Sequence, residues 1–235
     1  MVPKGELNMV KEVEIQKKLR IINRRSVVCT VSGGLDSAVA SALMAKADFE
    51  LHFIFFDWGQ KTYKKELRCA QALARHFDAT MKIVEVPLLK SLPGISLTQK
   101  ETLTTAINEY VPNRNAILES QAVAYAEYLK AGAVCIGSTG GDHICPDNSP
   151  KFVDIMQLLV NEGTLLKPSI QIIAPLIHTD KVGVVKLGIK LGVPFEFTWS
   201  CHNNIDVACG HCSNCESRLE AFKLNGKKDP IRYAK

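Results

Sequence analysis

Val31-Ser32-Gly33-Gly34-Leu35-Asp36-Ser37 is the stretch on which the fold of this chain turns. The apolar run Val27, Val28, Cys29, Thr30, Val31 leads into it, and Ala38 to Ala47 follow with helical character. The reading is strand, glycine turn, helix. Gly33 and Gly34 lack a Cβ, so the backbone can turn sharply and bring its N–H groups close to a ligand. Ser32 and Ser37 add hydroxyl donors, and a helix start offers unpaired N–H groups and a partial positive charge. Together these make an anion site suited to phosphate. No Gly-Lys-Ser/Thr ends the stretch, so it is not a Walker A loop. Asp36 would repel phosphate unless a metal ion bridges the two, which points to a Mg²⁺-nucleotide.

Outward from the loop, strands and helices alternate. Glu50 to Phe56 is almost uninterruptedly apolar, as in a strand buried on both faces of a parallel sheet. A helix is expected over 64–77, a strand over 81–86, a helix over 115–130 and a strand over 133–136. Then follow a helix over 152–161, a strand over 170–174, a helix over 181–191 and a last short strand over 195–198. Residues 9–25 read as an amphipathic helix covering the sheet. Leu88 to Thr105, rich in Ser, Thr, Pro and Gly, reads as a mobile excursion outside the core. The fold class is therefore α/β, a doubly wound parallel sheet. Ligands of such sheets bind at the carboxyl ends of the strands. Those ends are the polar stretches Ser32 to Ser37, Asp57 to Gln60, Val111 to Asn115 and Gly137 to Asp147.

With 235 residues and 46% apolar side chains, the chain has enough material for a full core. Its net charge of +5 is spread out, which permits nucleic-acid binding without indicating it and suits anionic small substrates equally. No apolar run reaches the roughly 18–20 residues that span a bilayer, and Met1 to Asn8 lack a hydrophobic signal core. The cytoplasm is the expected compartment. Four of the eight cysteines are scattered, and four form Cys201-x7-Cys209-x2-Cys212-x2-Cys215. Repeated Cys-x-x-Cys turns put several thiolates on one cation, so this set reads as a closed structural Zn²⁺ site. A redox pair, an iron–sulfur cluster or buried free thiols are the competing interpretations, and His202 and His211 are rival ligands.

The Ser32 to Ser37 string resembles the pyrophosphate loop of the N-type ATP pyrophosphatases. More broadly, the chain resembles the 7-cyano-7-deazaguanine synthase family. The resemblance rests on that loop, Asp57-Trp58-Gly59-Gln60, Tyr110-Val111-Pro112-Asn113-Arg114-Asn115, Pro175-Leu176 with Thr179-Asp180-Lys181, and Thr198-Trp199-Ser200-Cys201. It continues through the Cys209 to Cys215 cluster with Arg218, and Asp229-Pro230. The resemblance implies a nucleotide alpha hydrolase-like domain over 26–198, a zinc-binding segment over 199–235 and a helical extension over 1–25. It implies an ATP-dependent, C–N bond-forming ligase of queuosine biosynthesis. Such an enzyme converts 7-carboxy-7-deazaguanine and ammonia to the nitrile by adenylating first the carboxylate and then the amide.

Ser32, Gly33, Gly34, Leu35, Asp36 and Ser37 would bind ATP with Mg²⁺. Asp36, Arg114 and Lys181 would be catalytic, and Gln60, Arg114, Asn115, Asp142 and Asp147 would bind substrate. Asn115 could equally cap its helix, Gln60 close a turn, and Trp58 belong to the core. A homodimer is the expected assembly. The stretch Asp142 to Phe152 departs from the family pattern: Asp142, Pro146, Asp147, Pro150 and Phe152 match it, whereas Asn148 and Ser149 replace its Cys-Arg. That departure opens an alternative, a defence-associated relative using the same adenylation to attach a deazapurine to a protein partner.

Overall fold

The apolar runs form one parallel sheet in the computed structural model, which describes residues 19–20, 22–98, 110–140 and 145–234. Its strands are β1 (Ser26–Thr30), β2 (Glu50–Asp57), β3 (Thr80–Glu85), β4 (Ala133–Cys135) and β5 (Gln171–Ile173), in the order β3-β2-β1-β4-β5. Every pair is parallel, with Cys29 opposite both Phe53 and Cys135 in register. The connecting helices are α1 (Leu35–Lys46), α2 (Tyr63–His76), α3 (Pro87–Ser91), α4 (Arg114–Tyr128), α5 (Pro150–Gly163), α6 (Lys181–Leu191) and α7 (Ser213–Leu224).

Alternation along the strands divides the core in two. Val27, Cys29, Phe53 and Phe55 face the cluster containing α1, α6 and the end of α7. Val28, Ile54, Phe56 and Val134 face the cluster built on α4 and α5. Central strands buried on both faces have no polar side to show, which is why they read as continuous apolar runs. Helix ends follow local chemistry. Asp180 caps α6 by accepting the Gly183 N–H at 2.8 Å, and Ser149 caps α5 by accepting the Phe152 N–H at 3.1 Å.

Two expectations are corrected. Phe195–Phe197 is a 3₁₀ turn and not a strand. Its Phe195 carbonyl accepts from the Thr198 hydroxyl at 2.7 Å and from the Arg218 guanidinium at 3.1 Å, so it needs no ladder partner. The stretch after Val86 also belongs partly to the core. α3 follows directly, and Leu89, Ile95 and Leu97 are buried in the second cluster. Of the helix expected over 9–25, residues 9–18 and 21 lie outside the described residues, while Leu19 and Ile22 are buried in the first cluster. No helix among the described residues is long and apolar enough to cross a membrane.

Candidate active site and metal centre

At the carboxyl end of β1 the chain turns through Gly33 at φ +75 and enters α1. A Cβ on Gly33 would lie 2.4 Å from the Glu66 carbonyl oxygen, so both the left-handed backbone and the close approach of α2 require glycine. The Gly33 carbonyl accepts the Trp199 N–H at 2.9 Å. Within the loop, the Ser32 hydroxyl accepts the Gly34 N–H at 3.2 Å and the Ser37 hydroxyl donates to the Gly34 carbonyl at 3.1 Å. Gly34 caps α1 without a side chain, leaving the helix-start N–H groups to serve an anion.

Asp36 lies in the first turn of α1 and Lys181 begins α6; their charged ends meet at 2.6 Å, Lys181 Nζ to Asp36 Oδ2. The other carboxylate oxygen, Asp36 Oδ1, is sealed from solvent and has no hydrogen-bond partner. An acceptor left so is costly unless something completes it. A hard divalent cation with oxygen ligands fits that vacant lone pair, and Asp36 is the residue that would hold Mg²⁺ here.

Ser32, Gly34, Leu35, Asp36, Ser37, Gln60, Arg114, Asn115 and Lys181 line one cavity of about 300 Å³. Gly33 and Asp147 are not among the lining residues. The cavity straddles the sheet edge: α1 and α6 reach it from one face and α4 from the other. Arg114 opens α4, with its guanidinium carbon 5.0 Å from the centre of the Trp58 ring, a cation–π contact that holds the fork toward the cavity. Trp58 is partly buried against the second core cluster.

Gln60 is committed to its turn. Its Oε1 accepts the Trp58 N–H at 3.0 Å, and its Nε2 donates to the Phe56 carbonyl at 3.0 Å and to Glu66 at 3.2 Å. Asn115 does not cap its own helix. Its N–H donates to Asp147 Oδ2 at 2.8 Å and its Nδ2 to the Asp147 carbonyl at 3.0 Å, so buried Asp147 serves as the cap from another segment. Asp142 lies outside the described residues.

Among the cavity residues not anticipated from the sequence, one ionisable group stands out for its burial. Glu119, on α4, is 4% exposed, and its Oε2 has no hydrogen-bond partner. Burial, and then the charge of Asp147, push its carboxyl up to about 8. A signal existed: Glu119 stands four residues after Asn115 and shares the buried helical stripe of Ala122, Val123 and Ala126. An acid in such a stripe is out of place.

Cys201, Cys209, Cys212 and Cys215 are buried, with all four sulfurs within 4.8 Å of one another. Backbone N–H groups of Asn204 and Cys209 point at Cys201 Sγ at 3.3 and 3.4 Å, and that of Cys212 at Cys209 Sγ at 3.4 Å. Left to themselves the sulfurs divide their protons unevenly. Hydrogen bonds from Cys212 and Cys215 hold the Cys201 thiol far below its ordinary value, while those to Cys201 push Cys212 up to about 11 and Cys215 higher still. A dication satisfies four thiolates at once, and tetrahedral Zn–S bonds of about 2.3 Å suit this spacing. Among the described residues, neither histidine joins the cluster: His211 Nδ1 lies 2.9 Å from the Cys209 carbonyl, and His202 lines the active-site cavity.

The family model described as "Queuosine biosynthesis protein QueC" matches residues 26–226. The chain belongs to the QueC family. A 7-cyano-7-deazaguanine synthase from Methanoculleus marisnigri is 38% identical over 220 residues, covering 89% of this chain and 99% of that one. One from Methanospirillum hungatei is 38% identical over 217 residues, covering 88% and 98%. Among solved structures, an NH3-dependent NAD synthetase from Campylobacter jejuni superposes with a TM-score of 0.49 at 20% identity, covering 82% of this chain and 75% of that one. QueC-family relatives named as synthases make this chain an enzyme of queuosine biosynthesis.

Proposed function

We propose that this QueC-family enzyme converts 7-carboxy-7-deazaguanine to 7-cyano-7-deazaguanine, consuming ATP and ammonia. The reading is carried by one juxtaposition: the Ser32 to Ser37 loop lines the same cavity as Arg114 and Asn115, in a chain whose full-length relatives bear that enzyme's name. A carboxylate oxygen is a poor leaving group. Attack of that oxygen on the α-phosphorus expels pyrophosphate and leaves an acyl adenylate. Ammonia then displaces AMP to give the amide. A second adenylation, on the amide oxygen, lets AMP carry that oxygen away while the nitrogen gives up its two protons.

The loop N–H groups and the Ser32 and Ser37 hydroxyls receive the departing pyrophosphate, where preorganised donors act most strongly on developing charge. Lys181 adds a point charge at the loop, and Arg114 a planar fork on the opposite side. Asp36 would hold Mg²⁺, which would neutralise charge on the phosphates. The four cysteines would hold Zn²⁺ with a complete set of thiolates, and the metal would serve the fold. The altered Asn148-Ser149 stretch is the one feature that opens conjugation of a deazapurine to a protein partner, and the names of the relatives favour the nitrile-forming reading. The homodimer and the cytoplasmic setting belong to this proposal as well.

The test is direct. Pure protein incubated with ATP, Mg²⁺, ammonia and 7-carboxy-7-deazaguanine should yield the nitrile by mass spectrometry. Accumulation of an amide that goes no further, or no ATP consumption, refutes the proposal. Asp36→Ala should abolish turnover while leaving the circular dichroism spectrum intact.

A further inference from the structure

None of the roles above uses Glu119. Its side chain enters the cavity from α4, one turn beyond Asn115, on the face of the sheet opposite α1 and α6. It is 4% exposed, and Oε2 meets neither solvent nor a hydrogen-bond partner. A buried acceptor without a partner is costly, so the fold carries this group at a loss until something fills it. An ionised carboxylate only accepts, through two oxygens, and its complement is a pair of parallel N–H donors. The ring N–H and the adjacent exocyclic amino group of an aminopyrimidinone base are such a pair.

We infer that Glu119 reads the acceptor base, its carboxylate receiving the ring N–H and the neighbouring amino group of an aminopyrimidinone edge. The inference rests on the deazaguanine reading above and adds to it the residue that tells this base from one lacking the amine. It also predicts a proton. Without the base, burial and Asp147 keep Glu119 protonated at neutral pH, its value being about 8. Two N–H donors favour the ionised form, so binding releases a proton, and affinity rises with pH until about 8 and then levels. Asp36, Glu66, Arg114, Lys181 and His202 also line the cavity, whereas the charge that acts on Glu119 is that of Asp147.

Isothermal titration of the zinc-loaded full chain tests this, using 7-carboxy-7-deazaguanine and its analogue without the exocyclic amine, each in buffers of different ionisation enthalpy. The parent should prefer the amino base by roughly fivefold to 150-fold, the range for one bidentate pair, and release a proton near pH 7. Glu119→Gln and Glu119→Leu should bring the ratio to within about threefold and abolish proton release, with ATP-analogue binding as the check on folding. A parent that binds both bases alike and releases no proton overturns the inference without any variant. So do variants that keep the parent's ratio and proton release, while the deazaguanine reading survives. A parent that binds neither base overturns that reading and this inference together.

Discussion

Arg218→Met would strand a buried carboxylate. The Arg218 side chain is 1% exposed and spends its donors inside the protein. Nε and Nη2 grip Asp229 at 2.7 and 3.0 Å, Nη1 reaches Thr198 at 2.8 Å, and Nη2 reaches the Phe195 carbonyl at 3.1 Å. Methionine is close enough in size to leave little cavity, so the loss is mainly electrostatic. Asp229, also 1% exposed, would keep the Tyr233 hydroxyl at 2.5 Å and the Ile231 N–H at 3.2 Å. Breaking a buried pair by removing one partner costs about 3–5 kcal/mol, and two surviving donors argue for about 3. For a chain of this size that lowers Tm by roughly 6–12 °C. Adding Asp229→Asn removes the stranded charge, so the double variant should be less destabilised than the sum of the singles by about 1–3 kcal/mol. Urea denaturation at fixed excess zinc measures all three. An Arg218→Met loss under about 1 kcal/mol, or strict additivity, would refute the reasoning. The same variant should raise the KM for ATP, because Thr198 precedes the Trp199 N–H that holds the Gly33 carbonyl.

Three further outcomes follow from the site. Gly33→Ala sets a Cβ 2.4 Å from the Glu66 carbonyl at a left-handed φ, and should lower ATP affinity at least tenfold, read by equilibrium binding, while Gly94→Ala at an open position should not. Cys212→Ser should drop bound zinc by metal analysis from one per chain to a small fraction and lower Tm; iron with sulfide in the parent would overturn the zinc assignment. Glu119 is protonated in both folded and unfolded chains below about pH 4.5. Above that the unfolded chain releases a proton that the folded one keeps until about 8, so its contribution to stability falls as pH rises through this window. Glu119→Leu should flatten the slope of stability between pH 5 and 8, measured by urea midpoints.

Local signals carried most of the architecture. The uninterrupted run Glu50 to Phe56 announced a central parallel strand, and the helix expected over 181–191 is α6 at the ends it has. Phe195-Glu196-Phe197-Thr198 misled because its alternation is that of a strand, while its actual partner is a guanidinium more than twenty residues later. Ile95 and Leu97 hid among serines and threonines that local composition assigns to a loop; their burial comes from α3 docking on the second core face. At the site, Asp36 and Lys181 were individually legible, but their contact joins residues 145 positions apart. Spacing cannot report that Asp147 spends its carboxylate on the start of α4, nor that Gln60 has already used its amide. Glu119 was visible as an acid in an apolar stripe, and only the three-dimensional cavity gives that anomaly a purpose.

The hydrogen bond from Trp199 to Gly33 has a thermodynamic reach beyond its 2.9 Å. One peptide group lies two residues before the first cysteine of the four-cysteine cluster, and its partner is the pivot of the Ser32 to Ser37 loop. Whatever free energy passes through that bond is reciprocal. If zinc tightens nucleotide binding by some factor, nucleotide tightens the hold on zinc by the same factor. On the proposed assignments of zinc to the cysteines and ATP to the loop, a chain with nucleotide bound would then hold its metal more tightly than one without.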